Sequence, residues 1–284
     1  MANFPNSEGR KVVLAQVQTI LDNKAYLSEV DGKIGDGDHG INMAKGFQLI
    51  RDRLGDKEVT LSDGLGLIGK TLMTEIGGSM GPIYGTFFIQ MSLKCKNKPE
   101  TDAPLFGEML KAAREGLHDL GGAKVGDKTL MDAVIPAEEA YQAAVDKGAS
   151  LQESLKEMAV AAEKGKDSTV DLVAKIGRSA RLGERSRGVL DAGATSAALI
   201  LQTFCRVLGT SDEKSSSSGA ETTRPEIPIA RNANPAGLST ARPVQDIPIE
   251  VEEKTGEAAP ATAAEIPIAR NANPAGVSTS RPRE

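Results

Sequence analysis

Residues 31–42 read Asp-Gly-Lys-Ile-Gly-Asp-Gly-Asp-His-Gly-Ile-Asn, which sets Asp31, Asp36 and Asp38 at spacings of five and two. Gly35 and Gly37 flank Asp36 and let the backbone bend until the carboxylates face one point. Carboxylates gathered in this way repel and raise one another's pKa unless a cation lies among them. The donors are all oxygen, with no Cys nearby, and that selects Mg²⁺ ahead of Mn²⁺ or Ca²⁺. An EF-hand is excluded, because its ligands run out to a Glu at the twelfth position. The same Asp/Gly pattern also suits a turn that caps the next helix, and spacing alone leaves both readings open. His39 is a poor Mg²⁺ ligand and a better donor to a phosphate oxygen, with Asn42 one helical turn on. The alternative for His39 is a hydrogen-bonded structural residue.

Three further loops carry polar residues that a helical bundle does not need. In residues 77–88, Gly77, Gly78 and Gly81 surround Ser79 and Met80, and Pro82 fits the first position of a helix. A glycine-rich turn entering a helix offers backbone N–H groups to an anion, although the segment is neither a Walker A sequence nor a GxGxxG turn. In residues 121–132, Lys124 and Lys128 are candidates for phosphate contact, and Asp127 is placed to cap a helix from Lys128. Residues 177–196 hold four Arg with Gly183, Gly188, Gly193 and Asp191, a composition suited to covering an anionic ligand. Solvated loops remain the plain alternative for each. Together the loops point to Mg²⁺, phosphate groups and phosphoryl transfer, which demands positioning and charge neutralisation more than covalent chemistry.

The elements that must position these loops are helical. Residues 10–29 set Val13, Val17, Ile20, Leu21 and Leu27 at near-helical spacings. Similar runs cover 41–54, 62–75, 82–95, 104–119, 128–147, 151–175 and 193–208, with no convincing alternating strand. Eight helices with short connections give an all-α bundle. The break in composition falls at residues 210–219, a Ser-rich run that reads as a linker. All nine aromatic residues lie at or before Phe204, and nine of the fourteen Pro at or after Pro225. Residues 1–209 are therefore expected to form the domain, and 210–284 a disordered tail. EIPIARNANPAGLSTARP at 226–243 returns as EIPIARNANPAGVSTSRP at 265–282, a duplicated linear motif or a drifting duplication.

Composition narrows the function. The net charge of −5, from 34 basic and 39 acidic residues, argues against a nucleic-acid stripe. With no Trp and 3% aromatics, base-stacking platforms are not expected. Cys95 and Cys205 sit in apolar runs and read as free thiols in a reducing compartment. No secretory leader and no membrane span are expected, so a cytoplasmic protein with no membrane partner is the default.

The segments GDGDHGINMAKGF (35–47), GGSMGPIYGTFF (77–88), GDKTLMD (126–132), LGERSRG (182–188) and DAGATS (191–196) closely resemble the nucleotide-binding L subunit of dihydroxyacetone kinases, DhaL. The resemblance covers about residues 8–208, in order and in register. It implies an eight-helix antiparallel barrel with a nucleotide pocket at one end, and a role in glycerol metabolism. It implies that Asp31, Asp36 and Asp38 hold two Mg²⁺ ions that bridge the phosphates of ADP or ATP. By the same resemblance His39, Gly40, Ile41 and Asn42 contact nucleotide, Ser79 and Met80 contact phosphate, and Gly121, Leu130, Arg178, Asp191, Ala192 and Gly193 enclose the rest. It implies no catalytic residue of this chain's own.

In this family the ketose is held on a separate K subunit or domain, DhaK, as a hemiaminal on a histidine. Residues 210–284 leave no room for it, so the chain reads as one half of a kinase. Stand-alone L subunits resemble the phosphotransferase-system type, in which resident ADP is recharged by a phosphohistidine of the DhaM subunit. The alternatives are an ATP-dependent subunit for a tetrulose such as erythrulose, and a nucleotide-loaded regulatory module. A helical scaffold serving its tail is the plain reading, and a homodimer stays open. The family often has Gly-His-x-Asp-Pro-Gly where this chain has Gly188-Val189-Leu190-Asp191-Ala192-Gly193.

Overall fold

The computed structural model describes residues 3–210. Contacts divide the chain into Met1–Thr222 and Thr223–Glu284, and the described residues all lie in the first unit. The Ser-rich run from Ser211 and the duplicated segments lie outside the described residues.

Nine α-helices form among the described residues: α1 (Gly9–Asp22), α2 (Lys24–Gly32), α3 (His39–Leu54), α4 (Leu61–Glu75), α5 (Met80–Lys94), α6 (Ala103–Gly121), α7 (Met131–Asp146), α8 (Leu151–Ser168) and α9 (Ala192–Leu208). The expected first helix is thus two segments. Asn23 (φ −98°, ψ 10°) breaks it, and its side-chain amide donates to the Thr19 carbonyl at 2.8 Å. That is the local competition by which Asn weakens a helix interior. The hydrogen bond from Leu27 N–H to Asn23 O keeps the two segments in line, so nine helices build a barrel of eight staves.

Each stave packs on the next in sequence, and α9 packs on α1 and α2 to close the ring. Polar side chains stitch this seam. The Gln16 amide donates to Ile200 O at 3.1 Å, and the Thr19 and Thr203 hydroxyls meet at 2.8 Å. The scarce aromatics fill the axis. Phe47 meets Phe88 at 6.4 Å, Phe88 meets Phe204 at 6.4 Å, Phe204 meets Phe106 at 5.6 Å, and Phe106 meets Tyr141 at 5.3 Å. Such tilted and edge-on contacts add to the area each ring buries. A two-residue antiparallel pairing of β1 (Phe4–Pro5) with β2 (Glu100–Thr101) fastens the N-terminal segment beside α6. Among the described residues no helix is long and apolar enough to cross a membrane. Cys95 is buried, Cys205 half-buried, and both are free.

Glycines let the staves approach closely. A Cβ on Gly165 of α8 would lie 2.1 Å from the Asp132 carbonyl oxygen of α7. That carbonyl has no helical donor four residues on, because Pro136 stands there without an N–H. Gly165→Ala is expected to cost about 1–3 kcal/mol through overpacking, seen as a lower urea midpoint at unchanged m-value. An unchanged midpoint would show that the two helices separate freely.

Candidate functional site

Antiparallel staves bring alternate connections to the same end. The connections 33–38, 76–79, 122–130 and 169–191 meet there around a cavity of about 670 Å³. Asp31, Asp36, Asp38, His39, Asn42, Ser79, Met80, Gly121, Leu130, Arg178, Asp191, Ala192 and Gly193 all border it. Gly40 and Ile41 do not. Gly40 faces α2, where a Cβ would stand 2.0 Å from Lys24 O and 2.7 Å from Ser28 N. Its role is close packing, which places the start of α3. The Ile41 side chain is 53% exposed, away from the cavity lining.

Helix capping differs between the two ends. Three helices that start at the far end are capped by side chains, Thr60 for α4, Asp102 for α6, and a Ser150–Glu153 capping box for α8, whereas α1 has no side-chain cap. Of the four that start at the cavity, α9 is capped by Asp191, and the first three N–H groups of α7 go to Thr129 Oγ1, Thr129 O and Leu130 O, whereas α3 and α5 have no side-chain cap from the residue before them. Uncapped first turns leave backbone N–H groups without helical partners and the positive end of the helix dipole facing the cavity. The turn before α5 is the most open. Gly77, Gly78 and Ser79 are exposed, and Gly78 is left-handed at φ 68°, where a Cβ would meet nothing within 4 Å. An anion is the natural occupant of such a place. Pro82 is the third residue of α5 rather than the first, where its missing N–H still removes an orphan donor.

Opposite these donors stand the carboxylates. Asp31, Asp36 and Asp38 each offer an oxygen, and the three oxygens lie within 4.8 Å of one another. Gly35 makes the approach feasible, because a Cβ there would sit 2.4 Å from Asp31 Oδ1. Asp31 also accepts from the His39 N–H at 3.4 Å. Arg178 reaches across from the long connection, pairs with Asp36 and stands 3.9 Å from Asp38. This all-oxygen donor set with room among its members fits a hard divalent cation.

His39 is buried, and burial holds its ring down at about 4, with Asp31 opposing, so the imidazole is neutral at pH 7. Its Nε2 lies 2.9 Å from Ser196 Oγ, which lies 2.5 Å from the Tyr84 hydroxyl. Burial also pushes the Tyr84 phenol well above its usual range. Ser196 and Tyr84 were not singled out in the sequence. Their signal is weak: each is a polar residue on an otherwise apolar helix face inside a noted segment.

The connection 122–130 departs from expectation. Asp127 does not cap α7, which begins at Met131. It accepts from the Lys124 N–H at 3.0 Å and lies 3.6 Å from Lys175 Nζ. Asp132 does the organising instead, accepting from Gly126 N–H at 2.6 Å and Thr129 N–H at 2.7 Å. Lys124 is exposed and does not border the cavity. Lys128 borders it but is buried, and its ammonium donates to the carbonyls of Thr169, Leu172 and Val189. The expected phosphate contact is therefore not made by either lysine. The long Arg/Gly connection forms a 3₁₀ segment, Arg178–Ser186, broken at Gly183 (φ 54°).

Asp191 accepts from the Ala194 N–H at 2.7 Å, and burial raises its carboxyl to about 6 despite that bond. A raised folded-state pKa means the folded protein binds this proton more tightly than the unfolded chain. Stability is then lost as pH rises from about 4 to 6. Asp191→Asn keeps a capping acceptor without the charge. In urea titrations at pH 4 and pH 7, the variant is expected to shift the difference by about 2 kcal/mol in favour of pH 7. An unchanged difference would mean that the carboxyl is solvated.

Known proteins are similar to this chain in sequence and in fold. Residues 33–206 match the DAK2 domain family model. The ADP-binding subunit DhaL of PEP-dependent dihydroxyacetone kinase 1 from Listeria innocua is 39% identical over 184 residues, 64% of this chain and 87% of that protein. The L-erythrulose kinase of Pectobacterium atrosepticum is 34% identical over 210 residues, 73% of this chain and 35% of the kinase. The crystal structure of the dihydroxyacetone kinase of C. freundii in its native form has a TM-score of 0.55 at 25% identity, covering 72% of this chain. The chain spans only 36% of that enzyme's length. This chain belongs to the DAK2 domain family, together with the DhaL subunits of dihydroxyacetone kinases.

Proposed function

We propose that this chain is the nucleotide-carrying kinase subunit of a short-ketose kinase, passing a phosphoryl group from Mg-nucleotide to a ketose held on a separate K subunit. One observation carries this: three carboxylates within 4.8 Å of one another border the same cavity as two helix starts without side-chain caps, those of α3 and α5. A metal–polyphosphate unit satisfies both sides at once. Asp31, Asp36 and Asp38 would hold the cations, two in number by the family resemblance. Bound there, Mg²⁺ supplies neutralisation of phosphate charge and alignment for in-line transfer.

The chain's own groups do the rest. Backbone N–H groups of the Gly77–Met80 turn meet phosphate oxygens, and neutral His39 donates to another. Arg178 covers the phosphates from the long connection. Leu117, Leu120, Leu130 and Ile176 give the cavity an apolar part for the nucleoside. Gly121, Ala192 and Gly193 leave space beside it for want of bulk. Activation of the ketose hydroxyl is assigned to the K subunit, which holds the ketose.

Resident ADP recharged by the phosphotransferase system is the favoured donor arrangement, because the relative covered over 87% of its length is an ADP-binding subunit of a PEP-dependent enzyme. The C. freundii kinase, solved with AMP-PNP and Mg²⁺, keeps ATP in view as the exchanging alternative. The erythrulose kinase relative supports a tetrulose acceptor equally, since the K partner sets that choice. A DhaM-like phosphohistidine donor and a cytoplasmic location follow from the first arrangement.

Calorimetric titration with ADP in Mg²⁺ tests the site. The Asp36→Asn/Asp38→Asn variant is expected to bind roughly a hundredfold more weakly or worse, and chelation should reduce the native protein to the same level. Equal binding by variant and native protein would remove the carboxylates from the site. Reconstitution with a K subunit, giving ketose phosphate from ATP or from a phosphohistidine donor, tests the activity. Failure with both donors and both dihydroxyacetone and erythrulose would refute it.

A further inference from the structure

The connection between α8 and α9 begins at Thr169 and ends at Asp191, and it carries Ile176, Gly177, Arg178 and Ser179 to the cavity. One atom reaches both of its stems, beside the bonds from Asp191 N–H to Thr169 Oγ1 and from the Arg187 guanidinium to Asp171 O that join them directly. Lys128 Nζ donates to Thr169 O at 2.5 Å and Leu172 O at 3.3 Å on the entering stem, and to Val189 O at 2.6 Å on the leaving stem. An ammonium has three hydrogens and no more. All three are taken, so none remains for a phosphate. Among the described residues no carboxylate stands within ion-pair distance of this nitrogen.

The side chain is 1% exposed. Burying a charge is costly unless its hydrogen bonds are complete, and here the carbonyl dipoles complete them while Asp191, Asp132 and Asp171 add attraction from beyond ion-pair distance. The Lys128 backbone is left-handed, at φ 62°, a conformation that only Asn97 shares among the described non-glycine residues. A residue held in that region persists only where its surroundings fix it. Two further bonds rigidify the same connection: Gly188 N–H to Val170 O at 2.7 Å and Ala174 N–H to Ser186 Oγ at 2.9 Å.

We propose that Lys128 is a positioning residue: it clasps both stems of the 169–191 connection and thereby holds Arg178 and its neighbours over the bound nucleotide, without touching phosphate. The nucleotide part rests on the function proposed above, whereas the clasp itself does not.

Hydrogen exchange on the nucleotide-free full chain separates the two. In Lys128→Met, amides of residues 173–190 should exchange at least about tenfold faster, while those of α4 and α5 keep native rates. MgADP should dissociate about tenfold faster from the same variant. Lys128→Gly removes the ammonium and relieves the left-handed backbone, so it reports the clasp even if the Met variant folds poorly, and it should loosen the same segment. Native exchange rates at 173–190 in Lys128→Gly would overturn the proposal, as expected if the lysine acted on phosphate directly. Uniform acceleration in every helix, or a loosened segment with unchanged MgADP release, would overturn it too. A native protein that binds no MgADP would refute the nucleotide function and leave exchange to judge the clasp.

Discussion

Helix starts without side-chain caps are a cost that most proteins avoid, and this one sets two of them, α3 and α5, on one cavity. The far end shows that the sequence is able to cap: Thr60, Asp102 and the Ser150–Glu153 box each satisfy a first turn there. At the cavity the first-turn donors of α5, and those of α3 beyond the His39 N–H, are left to something else. The three carboxylates beside them pose the opposite problem, acceptors and negative charge without enough donors. The remaining features follow from keeping these two unfinished halves rigidly opposed. A closed ring of antiparallel staves fixes the spacing, the aromatic column from Phe47 to Tyr141 fills its axis, and close glycine contacts remove slack between staves.

Much of this was legible in the chain. Helix positions followed from the 3.6-residue recurrence of apolar residues, and most boundaries agree within a few residues. The Asp31, Asp36 and Asp38 set was legible as one of two readings of its spacing, the other being a capping turn, and the three carboxylates do lie together. Local pattern could not give the break at Asn23, which depends on a side chain competing for a carbonyl. Nor could it give the true start of α7. Asp127 looks like a cap in sequence, but Asp132 inside the helix captures the Gly126 and Thr129 amides instead.

Two residues have structural partners that their local sequence does not announce. Lys128 in a glycine-rich loop suggests a mobile phosphate ligand, and nothing local indicates that three carbonyls from another connection will enclose it. Gly40 adjoins the histidine and looks like part of a ligand contact, yet it serves the approach of α2 to α3. In both cases the deciding partner lies far along the chain. The Ser196–Tyr84 pair behind His39 was missed for the same reason, since its members are separated by more than a hundred residues.

The seam between the first and last staves has a further consequence for how the molecule comes into being. Its contacts, Gln16 with Ile200 and Thr19 with Thr203, span 184 residues, so they form late and at the largest loop-closure cost in the barrel. A chain emerging N-terminus first has an open, curved sheet of helices with an apolar inner wall until α9 arrives. Asp191, Ala192 and Gly193 arrive with it and supply one wall of the cavity. Ring closure and completion of the pocket are therefore a single event, and a partial barrel that already holds the three aspartates still lacks a place for the ligand.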